Sequence, residues 1–145
     1  MKIINRRASF DYELQDHFEA GINLTGAEVK AFRQGHADLT GSFARIRGAE
    51  AYLINARILP YQFARPDKYE EKRTRKLLLH RKEIISLKSK TEASNLTIVP
   101  VSMYTTRGFI KVELAIANPK RTFNKKEAIK RQDLDREMEE AFKRG

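Results

Sequence analysis

The stretch Leu96-Thr97-Ile98-Val99-Pro100-Val101-Ser102-Met103-Tyr104, followed closely by Phe109-Ile110-Lys111-Val112-Glu113-Leu114-Ala115-Ile116-Ala117, decides the architecture. Both runs are rich in β-branched and apolar residues, which fit a pleated, half-buried surface. Arg107-Gly108 between them supplies the turn, so the pair is predicted to be an antiparallel hairpin. Pro100 cannot donate to a sheet ladder, which puts it at an edge or a bulge.

Working outward, the same period of two appears upstream. Phe10, Tyr12 and Leu14 alternate with Asp11, Glu13 and Gln15, and the strand pattern continues through Phe18 to Leu24, with Gly21 marking a bulge or bend. Thr25-Gly26-Ala27-Glu28 reads as a capping box, in which the hydroxyl accepts from the amide three residues on and the carboxylate returns the bond. The helix it starts runs through Val29, Ala31 and Phe32 to Gly35. Two more strands follow, Ser42 to Arg47 and Ala51 to Leu59, joined by Gly48-Ala49-Glu50 and closed by Pro60. Residues 66–75 are charged and poor in apolar side chains, which reads as a mobile loop. Lys76-Leu77-Leu78-Leu79-His80 is a short strand, and Arg81 to Glu92, with Ile84, Leu87 and Lys88 on one side, a helix. About six short strands flanked by helices make a mainly β protein. The best-fitting architecture is a small OB-like closed antiparallel barrel, which has no free sheet edges.

Composition narrows the function. The chain has 145 residues, 29 Lys+Arg against 19 Asp+Glu, a formal net charge of +10 and no Cys. Thiolate nucleophiles, disulfides and thiolate metal sites are thereby excluded. No apolar run is long enough to span a bilayer, and no apolar segment follows the basic N-terminus, so a cytoplasmic location is expected. The excess of cations is most simply matched by a polyanion, since Lys and Arg beside phosphates release condensed counterions; a basic surface kept for solubility is the alternative. His17, His36 and His80 have no metal-ligand spacing, no Gly-rich loop ends in a phosphate-binding Lys, and no acid/base pair stands out. The expectation is therefore a binder with no cofactor or metal, against the alternative of a small RNA-processing enzyme.

Binding chemistry is better represented. Lys72, Arg73, Arg75, Lys76, Arg81 and Lys82 come without an acid among them, and Asn5-Arg6-Arg7 and Lys111 would extend one phosphate-tracking surface if they share a face. Phe10, Tyr12, Tyr52, Tyr61 and Tyr104 are either rings for stacking on unpaired bases or inward core residues. After Asn118-Pro119 the strand pattern stops. Residues 119–145 carry nine Lys/Arg against six Asp/Glu, with Leu134, Met138, Ala141 and Phe142 at helical spacing. So thin an apolar stripe barely supports an isolated helix. The chain is therefore divided into a barrel, 1–118, and a basic tail, 119–145, disordered when free and helical against a partner, with a helix packed back on the barrel as the alternative.

These words closely resemble one family. Asn5-Arg6-Arg7-Ala8, Asp11-Tyr12, the run from Phe18 to Lys30, Arg33-Gln34-Gly35 and Arg73-Thr74-Arg75-Lys76-Leu77-Leu78-Leu79-His80 resemble the signature of the SsrA-binding protein (SmpB, small protein B) family, followed in the same order by the hairpin and the basic tail. The resemblance implies a bacterial ribosome-rescue factor acting in trans-translation. It would bind the tRNA-like domain of transfer-messenger RNA (tmRNA) around its D-loop and elbow, and enter stalled ribosomes with elongation factor Tu and GTP. The tail would probe the decoding centre and the empty mRNA channel. By matching positions, Asn5, Arg6, Glu19, Leu78 and Lys111 look like the family's RNA-binding residues, beside Arg7, Lys72, Arg73, Arg75 and Lys76 from the basic clusters. Glu19 would select donors on unpaired bases or 2′-hydroxyls. In the tail, Phe123, Asn124, Lys125, Lys126, Lys130, Arg131 and Met138 would contact the ribosome. Asn124 stands where the family usually has Asp, and Ser9-Phe10 where it often has Arg-His. The competing reading is another OB-fold translation factor or a general RNA chaperone.

Overall fold

The computed structural model describes residues 1–59, 70–120, 136–138 and 141. Pro60, Tyr61, Phe123, Asn124, Lys125, Lys126, Lys130 and Arg131 lie outside them, as do Leu134 and Phe142. In chain order the first elements are Lys2–Ile4 (β1), Arg6–Asp11 (α1), Tyr12–Ile22 (β2), Gly26–Arg33 (α2), Ala37–Asp38 (β3) and Phe43–Arg47 (β4). Then come Glu50–Ile54 (β5), Arg57–Ile58 (β6), Arg75–Leu78 (β7), Arg81–Ser94 (α3), Thr97–Thr106 (β8) and Phe109–Pro119 (β9).

The hairpin β8–β9 pairs from Thr97↔Ala117 to Thr106↔Phe109. Its two-residue turn places Arg107 at φ 48 and Gly108 at φ 82, the positive values that match the right-handed twist of the strands. The ladder runs β8-β4-β5-β7-β2-β9, and β9 returns to β8, so six antiparallel strands close on themselves. β1 joins the other half of β8, and β3 and β6 form a separate two-stranded sheet. The expected closed barrel with flanking helices is the observed fold. Pro100 sits where the β8–β9 register slips, between Pro100 and Ser102, so the missing donor falls in a bulge.

Four local expectations change, the first being the strand from Ala51 to Leu59, which Asn55 at φ 65 breaks into β5 and β6, the latter paired with β3 in the separate sheet. The strand expected from Phe10 is β2 and begins only at Tyr12: Asn5 is pinned to β8, with its amide 2.8 Å from Val101 O and Nδ2 2.9 Å from Pro100 O, and the chain coils into α1 before it extends. Arg7 and Asp11, one helical turn apart, pair at 3.0 Å, and Phe10 is left 68% exposed. The bulge in β2 falls between Gln15 and His17, with Asp16 at φ 51, while Gly21 stays within the ladder. The loop ends sooner than expected, because Arg75 is already the first residue of β7.

Ala20, Ile22, Leu53, Leu77, Met103, Val112, Leu114 and Ile116 fill the barrel, with Phe32 of α2 and Leu87 of α3. A second cluster on the outside joins Tyr12, Phe43, Ile54, Val99 and Ala117 to Ala8 of α1 and to Met138 and Ala141. Residues 136–138 are helical, and Met138 is buried against this face.

Candidate nucleic-acid interface

Side chains alternate across a strand, so the register says which residues share the outer surface. Lys2 lies opposite Tyr104 and Tyr104 opposite Lys111; Lys111 then faces Gly21, and Gly21 faces Leu78. These five residues form one lateral row across β1, β8, β9, β2 and β7. The next row contains Ile4, Ser102, Glu113 and Glu19. Three residues far apart in sequence, Glu19, Leu78 and Lys111, therefore meet on one face.

Leu78 is 55% exposed, an apolar side chain on the outside of a small barrel. It lies over Gly21: a Cβ built at Gly21 would fall 3.2 Å from Leu78 Cβ. Any larger residue there would push Leu78 aside, so the glycine serves close approach. The alternative that Leu78 is core is excluded by this exposure.

The same parity corrects the basic cluster. In β7, Leu77 points into the core, so Arg75 two residues earlier points inward as well, while Lys76 and Leu78 face out. Arg75 has no exposed side-chain surface. Its guanidinium donates to Glu28 Oε2 at 2.6 Å, Ala56 O at 2.7 Å, Arg73 O at 2.9 Å and Glu71 O at 3.0 Å. Arg75 is thus a structural cation and not part of a phosphate-facing surface. Arg73 donates from Nη2 to Glu28 Oε1 at 2.6 Å and to Asn23 O at 3.3 Å, at the end of β2.

Glu28 is the anchor of this network as well as a helix cap. Its amide lies 3.2 Å from Thr25 Oγ1, and its Oε1 accepts from the Thr25 amide at 2.9 Å, which completes the capping box. Burial pushes the Glu28 carboxyl up, but the Arg73 hydrogen bond, the Thr25 amide and the Arg75 guanidinium outweigh it, so its pKa is held below the ordinary 4.5. The sequence signalled the cap; only the fold brings two arginines some 45 residues downstream onto the same carboxylate.

Lys76, facing out, pairs with Glu50 at 2.9 Å, and Glu50 also accepts from the Tyr52 hydroxyl. Lys72, Arg81 and Lys82 remain exposed beyond the ends of β7. Beside the rows, α1 carries exposed Arg6 and Arg7, and the Arg7 guanidinium lies 5.5 Å from the centre of the Phe10 ring. Asn5 itself is buried and structural, turning the chain from β1 into α1. Among the aromatic rings singled out above, Tyr12 is buried and Tyr104 half-buried.

A family model described as "SmpB protein" matches residues 2–144. The chain belongs to the SmpB family. Among its relatives, the SsrA-binding protein of Acaryochloris marina is 46% identical over 142 residues, spanning 97% of this chain and 92% of that protein. The SsrA-binding protein of Syntrophobacter fumaroxidans is 44% identical over 140 residues, spanning 97% and 87%. A chain of the solved structure "tmRNA-SmpB: a journey to the center of the bacterial ribosome" superposes with a TM-score of 0.70 at 45% identity, covering 86% of this chain and 87% of that one. The family's fold is thus the fold described above. No helix among the described residues is long and apolar enough to cross a membrane.

Proposed function

We propose that this chain is a tmRNA-binding ribosome-rescue factor. The outer rows centred on Lys111, Gly21, Leu78 and Glu19 contact the tRNA-like domain, while Arg6, Arg7, Lys72 and the outward-facing Lys76 add phosphate contacts. The observation that carries this reading is the convergence of Glu19, Leu78 and Lys111 on one face of a barrel that belongs to the SmpB family. A cation supplies affinity there, an exposed leucine supplies apolar contact to a base or ribose, and a carboxylate accepts from base or 2′-hydroxyl donors. The protein acts as a binder, without a cofactor, in the cytoplasm. It enters the stalled ribosome with tmRNA, elongation factor Tu and GTP.

The tail is the second working part. Residues 119–145 probe the decoding centre and the empty mRNA channel as a helix, with Phe123, Asn124, Lys125, Lys126, Lys130, Arg131 and Met138 toward the ribosome. Met138 must then leave the apolar face on which it lies in the free chain.

A gel shift at physiological salt tests the first part: tmRNA's tRNA-like domain is bound in preference to an ordinary tRNA of equal length. Equal affinity for the two rejects the reading in favour of a general RNA binder. A chain ending at Lys120, which leaves β9 whole, is expected to keep tmRNA binding and to lose peptide tagging on stalled ribosomes. Surviving tagging would reject the role given to the tail.

A further inference from the structure

Glu19 and Glu113 are direct register partners on β2 and β9, an arrangement in which like charges repel. Each carboxylate has a partner on a different side. Glu113 Oε2 lies 3.3 Å from His17 Nδ1, toward the bulged end of β2. Glu19 Oε2 instead accepts from the Tyr104 hydroxyl. Tyr104 stands in the neighbouring row, opposite Lys111 and Lys2, and its side chain crosses over β9 to reach Glu19 on β2. The two carboxylates are therefore drawn apart along the strands.

We propose that Tyr104 is a positioning residue for RNA selection: its hydroxyl holds one oxygen of Glu19 and thereby presents the other to a donor on an unpaired nucleotide. This rests on the reading of the outer face as the tmRNA site. An unanchored surface glutamate samples many rotamers and accepts from any donor within reach, whereas one fixed by a phenol accepts in one direction. The anchor is not lost by ionisation under physiological conditions. Burial, the Glu19 hydrogen bond and the charges of Glu19 and Glu113 push the Tyr104 phenol up to about 12, so it keeps its proton and stays a donor. The ring adds a second effect: half-buried between Lys2 and Lys111, it fills the row on one side of Lys111, as Leu78 does on the other, which leaves the ammonium to approach a phosphate between two flanks.

The test uses Tyr104→Phe, which keeps the ring and removes only the donor, in the full-length chain. Dissociation constants are measured for the tRNA-like domain of tmRNA and for an ordinary tRNA, alone and combined with Glu19→Gln, over a salt series. Tyr104→Phe is expected to lower the preference for tmRNA by about three- to tenfold, the range of one net hydrogen bond. The salt slope and the thermal midpoint should not move, and the double variant should be no worse than Glu19→Gln alone. An unchanged preference for Tyr104→Phe would overturn the proposal, and so would multiplicative losses in the double variant. Loss with Tyr104→Ala but not with Tyr104→Phe would assign the residue to stacking instead. Should the wild-type chain bind both RNAs equally, it is the proposed function that fails, a result distinct from these.

Discussion

Replacing Arg75 by Met removes a guanidinium with no exposed surface while keeping an unbranched side chain of similar length. What remains is Glu28, 2% exposed, with one oxygen no longer bonded to Arg75, together with the carbonyls of Ala56, Glu71 and Arg73, each deprived of that donor. Breaking a buried pair from one side costs about 3–5 kcal/mol, because the surviving charge stays buried without its partner. Arg73 still holds the other Glu28 oxygen at 2.6 Å, so the lower end applies, about 3 kcal/mol. For a chain of 145 residues the unfolding entropy is about 0.3 kcal/mol/K, so the thermal midpoint should fall by roughly 10 °C. Thermal unfolding followed by circular dichroism measures it, with Lys76→Met as the control, whose exposed pair with Glu50 should leave the midpoint nearly unchanged. The folded pKa of Glu28 lies below its ordinary 4.5, so its contribution is complete above that value and is lost as acid titrates the folded carboxylate. Stability of the parent chain should therefore fall with acidification below pH 4.5, and in Arg75→Met, where one of the groups lowering the pKa is gone, the fall should begin at higher pH. An Arg75→Met chain within about 1 kcal/mol of the parent would refute the reasoning.

Other expectations concern the two outer faces. Gly21→Val builds a side chain against Leu78 and should weaken tmRNA binding by about three- to tenfold in a gel shift, while the strand tolerates a β-branched residue and the thermal midpoint changes little. Unaltered affinity would show that the placement of Leu78 over Gly21 has no part in binding. Lys111→Ala should reduce the slope of log K against log salt by about 1, as the loss of one phosphate contact requires. Met138→Asp puts a carboxylate against Tyr12, Phe43 and Val99 and should raise the fluorescence of an apolar dye in the free chain; an unchanged signal would mean that Met138 does not cover that face.

The strands and turns were legible because their causes are local. Alternation of apolar and polar residues, Gly108 at a turn that demands positive φ, and the Thr25–Glu28 cap each act within a few residues, so the order of the barrel strands and the barrel class follow from the pattern. What the pattern hid was the coil at Arg6–Asp11, since Phe10 continued the period of two while the contacts that start α1 reach across to Val101 and Pro100. The resemblance named Glu19, Leu78 and Lys111 one by one; the register of β2 with β7 and β9 made them neighbours.

Charge in a linear run says nothing about direction. Arg73, Arg75 and Lys76 read alike, yet the pleat sends Arg75 into the core beside Leu77 and Lys76 out beside Leu78, and one buried carboxylate decides that the inward cation is tolerated. Tyr104 read as core or as a stacking ring, core being the more usual place for a barrel aromatic, until the barrel closed β9 between it and Glu19. Composition, periodicity and word order thus settle which strands build the barrel and what kind of partner they suit. Which side chains touch depends on pairings between strands far apart in the chain, whose free energy comes from burying a shared core, and no local pattern carries that information.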